Sequence, residues 1–280
     1  MRTVVHISDL HFGAADESIV GPLRDCISGL SPDVVAVSGD LTQRARHEQF
    51  VDACRFLRSL PYPQVVVPGN HDVPLYNVLS RFGNPLGGFR RHVTRDRFPI
   101  FADDEIAVVG ANTTRSFTIK DGGLRPADVR HLVALFQGSK GDVLKIVVCH
   151  HPFDRPSTRG ARLTVPAPDA NAIATLIAHG ADIFLTGHLH LSYAGHSAIR
   201  YRVHGRSAIV VEAGTATSLR VRAEANSFNV LRTDHREVTV ERLAWDRDAG
   251  AFDPMHTEAF RRTEGGWAPP VVTQSIPPGR

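Results

Sequence analysis

Five short polar blocks in this chain each follow an apolar run: Asp9-Leu10-His11, Gly39-Asp40, Gly69-Asn70-His71-Asp72, His150-His151 and Gly187-His188-Leu189-His190. Carboxylate, imidazole and amide oxygen are metal donors, and these blocks supply little else. Asp9, His11, Asp40, Asn70, His150, His188 and His190 are the candidate ligands. One ion seldom uses that many protein ligands, whereas two ions sharing a bridging carboxylate use them well. The donor mix suits Mn, Fe or Zn and argues against Cu(I) or an iron–sulfur cluster. Asp9 and His11, like His188 and His190, are two residues apart, so in a continuing strand each pair would face one side. Taken singly, any of these residues reads as a turn cap. The ordered set is what points to a metal centre.

The elements that must position the blocks are short β-branched runs: Thr3–Ser8, Val34–Ser38, Val65–Val67, Ile106–Gly110, Lys145–Cys149 and Asp182–Thr186. They lack polar alternation and read as strands buried on both faces. Helical patterns span Ser18–Leu30, Arg46–Leu60, Arg125–Gln137 with Pro126 in the first turn, and Asp169–His179 with Asp169 as N-cap. Strand–helix alternation predicts an α/β architecture, whose ligands gather at the carboxyl ends of the strands, where all five blocks fall. After Gly187 the pattern changes to Tyr201–Val203, Ile209–Ala213, Phe228–Arg232 and Val238–Leu243, strands without helices between them, which suggests antiparallel additions and a second sheet. From about Asp246 periodicity fades among glycines and prolines. The expected division is a domain over 1–248 and an irregular tail over 249–280.

With 280 residues and 42% hydrophobic content the chain can bury a sizeable core. The sequence has no internal repeat and no long apolar run, and its first strand starts at residue 3 without a signal peptide; a cytoplasmic protein with no membrane span is the expectation. Cys26, Cys54 and Cys149 form no even framework and no CxxC pair. Net charge is +3 and 29 of the 32 basic residues are Arg, but no dense basic tract marks a nucleic-acid surface. The oligomeric state is left open.

The ordered blocks resemble the signature of the calcineurin-like metallophosphoesterases: D-x-H, GD, GNH[D/E], a lone H, then GHxH. The resemblance covers roughly residues 3–245 and is greatest to bacterial class III cyclic nucleotide phosphodiesterases and glycerophosphodiesterases. It implies a four-layer α-β-β-α sandwich of two mixed sheets flanked by helices. It also implies a ligand division: Asp9, His11, Asp40 and His190 at one metal, Asp40, Asn70, His150 and His188 at the other, with Asp40 bridging. The family's motif places the ligand two residues before Pro152, hence His150 and not His151. His71 matches the family's catalytic histidine, with Asp72 and His151 as supporting residues outside the ligand set. Gly39-Asp40-Leu41-Thr42 lacks the following Asp-Arg-Gly of Ser/Thr protein phosphatases. Residue 71 is His, where lipid A-precursor hydrolases carry Arg, and no ligand is missing as in non-catalytic scaffold members.

Phosphodiesters resist attack because their charge repels nucleophiles. Two divalent ions about 3.5–4 Å apart neutralise that charge and give a bridging hydroxide near neutral pH; His71 would protonate the leaving oxygen. The reading is therefore a metal-dependent phosphodiesterase acting on a small phosphate ester such as a cyclic nucleotide or glycerophosphodiester. The alternatives are a phosphomonoesterase or nuclease on the same scaffold, and a non-catalytic interaction module. Substrate contacts are expected from Asn112 and Arg115 after the fourth strand, and from two long segments that read as irregular, Pro152–Pro168 with Arg155 and Pro74–Glu105 with its arginines. His6, inside the first strand, reads as a packing residue.

Overall fold

The computed structural model describes residues 1–118, 121–139, 142–152, 167–190, 192–196, 203, 205–219 and 224–275. Its first sheet is built around β1 (Arg2–Ile7), β2 (Val34–Val37) and β3 (Gln64–Val66), which run parallel. β10 (Ser227–Thr233) joins antiparallel to β1, and β11 (Glu237–Asp246), β12 (Ala251–Thr263), β13 (Gly266–Trp267) and β14 (Val271–Ser275) extend the sheet outward. The second sheet has the order β4-β5-β6-β7-β9-β8. β5 (Ile106–Gly110), β6 (Leu144–Val148), β7 (Ile183–Thr186) and β9 (Ile209–Glu212) are parallel, and β4 (Ile100–Ala102) and β8 (Tyr193–His196) are antiparallel edges.

Alternation along the strands explains why two sheets and four layers form. Val4, Val34, Ala36 and Val65 face inward onto Ile146, Val148, Ile183 and Leu185 of the other sheet. Their neighbours Val5, Ile7, Val35 and Val37 face outward onto Ile19, Leu23 and Ile27 of α1 (Glu17–Leu30) and Phe50, Ala53 and Leu57 of α2 (His47–Arg58). On the far side Val147, Cys149 and Phe184 pack on Leu132 and Phe136 of α5 (Pro126–Gly138) and Ile173 and Leu176 of α6 (Ala167–Ala178). Strands covered on both faces have no polar face to show, which is why these runs read as continuous apolar sequence. The result is the α-β-β-α sandwich that the family resemblance implied.

Three expectations are corrected. Residues 251–275 are not irregular: β12 pairs with β11 from Asp246↔Ala251 to Glu237↔Arg261, and Phe260 and Trp267 are buried in the inter-sheet core. The pairing slips between Arg242 and Leu243, where Pro254 stands opposite; a proline is tolerated in a strand at such an irregularity. The 74–105 segment holds α3 (Val78–Gly83), α4 (Gly87–His92) and β4, pieces too short for periodicity to reveal. α6 begins at Ala167, so Asp169 lies in its first turn and is not the N-cap. Of the expected strand Tyr201–Val203 only Val203 is described, in an isolated bridge to Arg206.

Candidate metal centre

The site straddles the two sheets where their parallel strands end. β1, β2 and β3 deliver Asp9 and His11, Asp40, and Asn70; β6 and β7 deliver His150, and His188 and His190. The loops are laced by backbone bonds, Asp9 N–H to Gly39 O at 3.0 Å, His11 N–H to Asp40 O at 2.9 Å and Gly187 N–H to His150 O at 3.0 Å. The two sheets are joined here too, for example by a bond from His188 N–H to Asp9 Oδ2 at 3.0 Å. The approach is so close that a Cβ on Gly39, whose φ is +93°, would fall 2.7 Å from His150 Nδ1 and 2.8 Å from Gly69 N.

Asp9, His11, Asp40, His188 and His190 all have positive φ, between 49° and 77°. This corrects the reasoning from spacing: the paired residues do not share a face of a continuing strand but are turned to the site by left-handed residues beyond the strand end. Non-glycine residues in that region are uncommon, with Asp and His among the more tolerant, and they cluster at functional sites.

The side chains converge in two groups. In one, His190 Nε2 lies 3.1 Å and His11 Nε2 3.5 Å from Asp9 Oδ1, and the two imidazole nitrogens are 3.2 Å apart. In the other, Asn70 Oδ1 lies 3.0 Å from His150 Nε2 and 2.9 Å from His188 Nδ1. Asp40 Oδ2 stands between them, 3.7 Å from His11 Nε2 and 3.4 Å from His150 Nε2. Ligand atoms about 2.1 Å from a tetrahedral ion are about 3.4 Å from one another, so these spacings fit a cation in each group. The lone pairs fit as well. His150 Nδ1 is 2.7 Å from Ser38 O, a carbonyl that only accepts, so in the neutral ring Nε2 is bare and faces the oxygens of Asn70 and Asp40. Acceptors aimed at one another repel unless a proton or a cation lies between them. Asp9 Oδ1 is buried and makes no well-directed hydrogen bond among the described residues, despite its two imidazole neighbours.

Electrostatics follows from this crowding. Burial opposes charge on His150, but Asp40 and Asp9 outweigh it and raise its pKa to about 9. His11 is raised too, against burial, by Asp9 and Asp40. Burial is likewise opposed at Asp9 and Asp40, which the imidazoles hold below the usual carboxylate range. His188 is lowered to about 4 by burial and by His150.

His71 sits at the rim of the first group, its ring centroid 4.8 Å from that of His11. Its Nδ1 bonds Gln43 O at 2.9 Å and its N–H bonds Asp40 Oδ1 at 2.8 Å, which leaves Nε2 for other work; burial lowers its pKa. Asp72, expected to support His71, makes its hydrogen bonds to nearby backbone and the Thr42 hydroxyl and not to the His71 ring. Its fully buried carboxylate accepts from the N–H groups of Leu41, Thr42 and Gly69 and from the Thr42 hydroxyl, locking the second block to the third, and burial and Asp40 raise its pKa to about 6. His150 and His151 are less separated than alternation on a strand predicts, because β6 has already ended. A ring nitrogen of His151 comes within 4.8 Å of ligand atoms of His150 and His188, while its Nδ1 is 2.8 Å from Thr113 Oγ1. Asn112 caps Thr114 N–H at 2.8 Å and Arg115 is exposed, so neither joins the clusters; Arg155 lies outside the described residues. His6 is a packing residue as expected, buried and 2.9 Å from Ser38 Oγ. Sequence reasoning missed Gln43, Ser38 and Thr113 because two of them act through backbone carbonyls and the third through a common hydroxyl. Among the described residues no helix is long and apolar enough to cross a membrane.

Comparison with known proteins agrees with this geometry. A family model described as calcineurin-like phosphoesterase matches residues 2–192. Glycerophosphodiester phosphodiesterase GpdQ of Enterobacter lignolyticus (strain SCF1) is 36% identical over 80 residues, 25% of this chain and 29% of that protein. The solved structure of purple acid phosphatase PPD1 from yellow lupin (Lupinus luteus) seeds matches with a TM-score of 0.66 at 14% identity, covering 94% of this chain and 54% of that one. At such identity the likeness concerns the fold alone. The chain spans less than a third of the curated relative and about half of the plant phosphatase.

Proposed function

The chain belongs to the calcineurin-like phosphoesterase family, and we propose that it is a dinuclear metal-dependent phosphodiesterase. The observation that carries the reading is the convergence of seven donor side chains from two sheets into two groups that meet at Asp40. Asp9, His11, Asp40 and His190 would hold one ion, and Asp40, Asn70, His150 and His188 the other; Mn, Fe or Zn suits these donors. When bound, such ions supply Lewis-acid neutralisation of the phosphoryl oxygens and lower the pKa of a water.

The chain's own residues do the rest. Ser38 O fixes the His150 tautomer and so aims its Nε2 lone pair. Gln43 O holds the Nδ1 proton of His71, leaving Nε2 to carry a proton to the departing ester oxygen. Asp72 clamps the backbone that carries both Asp40 and His71. A diester substrate is supported by the activity named for the curated relative, with a small ester such as a cyclic nucleotide or glycerophosphodiester as the class. The free cysteines accord with a reducing, cytoplasmic setting.

The test is a comparison of kcat/KM on bis-p-nitrophenyl phosphate and p-nitrophenyl phosphate after reconstitution with Mn, Fe or Zn. Preference for the diester is expected. Preference for the monoester moves the protein to the phosphomonoesterases. Turnover of neither, with two ions bound, would refute the enzymatic reading.

A further inference from the structure

An arginine-rimmed cavity is lined in part by residues that neighbour the metal-binding loops in sequence. It encloses about 670 Å³ between the 85–99 segment and the loop after β5. Its floor is apolar, formed by Val67, Pro68, Leu86, Phe89 and Pro99. Its rim carries Arg90, Arg95, Arg97, Arg115 and Arg125, against the single lining carboxylate of Asp96 among the described residues. Arg97 and Arg125 share Asp128, at 3.0 and 2.8 Å. The guanidiniums of Arg90 and Arg95 make no hydrogen bond or ion pair among the described residues.

At one end the cavity is lined by residues of the loops that lead to the site. Pro68 stands two residues before Asn70, and Asn112 and Thr114 flank Thr113, whose hydroxyl bonds His151. At the other end Phe117, 90% exposed, meets Phe82 with ring centroids 5.4 Å apart. An exposed aromatic pair over an apolar floor suits a flat or aliphatic group. Guanidiniums without partners suit a carboxylate or phosphate, which they grip through paired N–H donors. The volume lies in the range of roughly 300–1,000 Å³ that takes a small organic ligand.

We propose that this cavity holds one ester arm of the substrate, an apolar or aromatic arm that carries a negative charge of its own. The proposal rests on the phosphodiesterase reading above. It divides the substrate between two regions: the reacting phosphate over the metal donors, and the charged arm reaching Arg90 and Arg95. A cationic arm is disfavoured by the same rim.

Three p-nitrophenyl diesters test this, their second arms being phenyl, 4-carboxyphenyl and choline. A hydrogen bond to a charged group, discounted for exposure, gives an advantage of about 10-fold in kcat/KM for the carboxyphenyl arm over phenyl, expressed in KM. The choline arm falls below both. In the Arg90→Ala/Arg95→Ala protein the carboxyphenyl-to-phenyl ratio collapses to about one, while bound metal stays at the wild-type level. Equal rates for the carboxyphenyl and phenyl diesters, or a ratio that survives the double substitution, overturns the proposal. Calorimetry with phenylphosphonate and 4-carboxyphenylphosphonate separates it from the catalytic reading. About 10-fold tighter binding of the carboxylated probe, lost in the double variant, is expected. Equal affinities overturn the cavity assignment whether or not diesters are hydrolysed. A retained carboxylate preference without diester hydrolysis overturns the phosphodiesterase reading alone.

Discussion

In chelator, the stability of the metal-free protein should peak near pH 6.5, and Asp40→Asn should shrink the alkaline side of that peak. His150 has a pKa of about 9 in the fold against 6.5 outside it. A raised histidine stabilises fully below 6.5 and loses its contribution as pH rises through 9. The step from 6.5 to about 9 corresponds to about 3 kcal/mol, a large part of a typical domain stability of roughly 5–15 kcal/mol. His11 is raised as well and acts in the same direction. His188, lowered to about 4, His6, lowered to about 3, and His71 and His151, also lowered, have the opposite sign. Their contributions are present above 6.5 and lost as pH falls, so the two effects occupy opposite sides of the peak. Asp72, raised to about 6, loses stability as pH rises between its ordinary value and 6, below the alkaline window. The Cys26 and Cys54 thiols, raised by burial, act only near and above pH 9. In Asp40→Asn the Oδ1 acceptor for His71 N–H can persist, but the larger of the two charges that hold the His150 proton is gone, and only Asp9 and the Ser38 carbonyl remain to oppose burial. Urea unfolding between pH 6.5 and 9, followed by far-UV circular dichroism in chelator, measures the slope. Metal requires the neutral imidazole, so the loaded wild type should show no alkaline loss. A flat metal-free wild type, or an alkaline loss undiminished in Asp40→Asn, would refute the electrostatic account of the centre.

Trp267→Ala should destabilise the protein by about 3–5 kcal/mol, because Trp267 is 2% exposed and its indole N–H meets buried Asp182 at 3.3 Å; an unchanged urea midpoint would restore the irregular tail. His71→Ala should lower turnover by about 10²–10⁴-fold with metal content retained, as elemental analysis beside kinetics will show; full activity removes His71 from the chemistry. His150→Ala should lose the second ion outright, while His151→Ala, bonded to Thr113, should weaken metal affinity by only about 10–100-fold. Equal metal loss in both would make His151 a ligand.

The fold was legible wherever burial is two-sided. Val34–Val37 and Ile183–Thr186 are buried at every position, so their sequence admits no other reading. β12 is different. It is 13 residues long, but its buried positions are as far apart as Phe252, on the helix side, and Phe260, between the sheets, with Pro254 between them. What holds this strand is the ladder to β11 together with Trp267, and a hydrogen-bond ladder leaves no mark on side-chain type. Arg262 adds an anchor that spacing could not reveal, 2.6 Å from Asp182 and stacked 5.4 Å over Trp267. The short helices of the 74–105 segment failed for a related reason: six residues, as in α3 and α4, are under two turns, too few for a period to show.

At the site the ligand types were legible and the geometry was not. Side chains two apart suggested an extended strand, whereas the chain turns them by left-handed residues. Each such residue costs about 1–2 kcal/mol, and five of them bear on one centre. No local motif could hold that strain. It is offset by bonds from elsewhere in the chain: Thr215 Oγ1 to Asp9 O at 2.7 Å, Thr217 Oγ1 to Leu10 O at 2.6 Å, and the backbone lacing between the β1 and β2 loops. The threonines come from the segment after β9, more than 200 residues from Asp9 in sequence. The donors are thus arranged by both sheets together before any cation arrives, with His150 Nε2 and Asn70 Oδ1 held 3.0 Å apart, a gap that the ring's proton fills in the metal-free protein and that a cation would take over. That enforced proximity, and not the motif spelling, is the physical reason the centre should bind metal tightly and select ions that tolerate mixed nitrogen and oxygen donors.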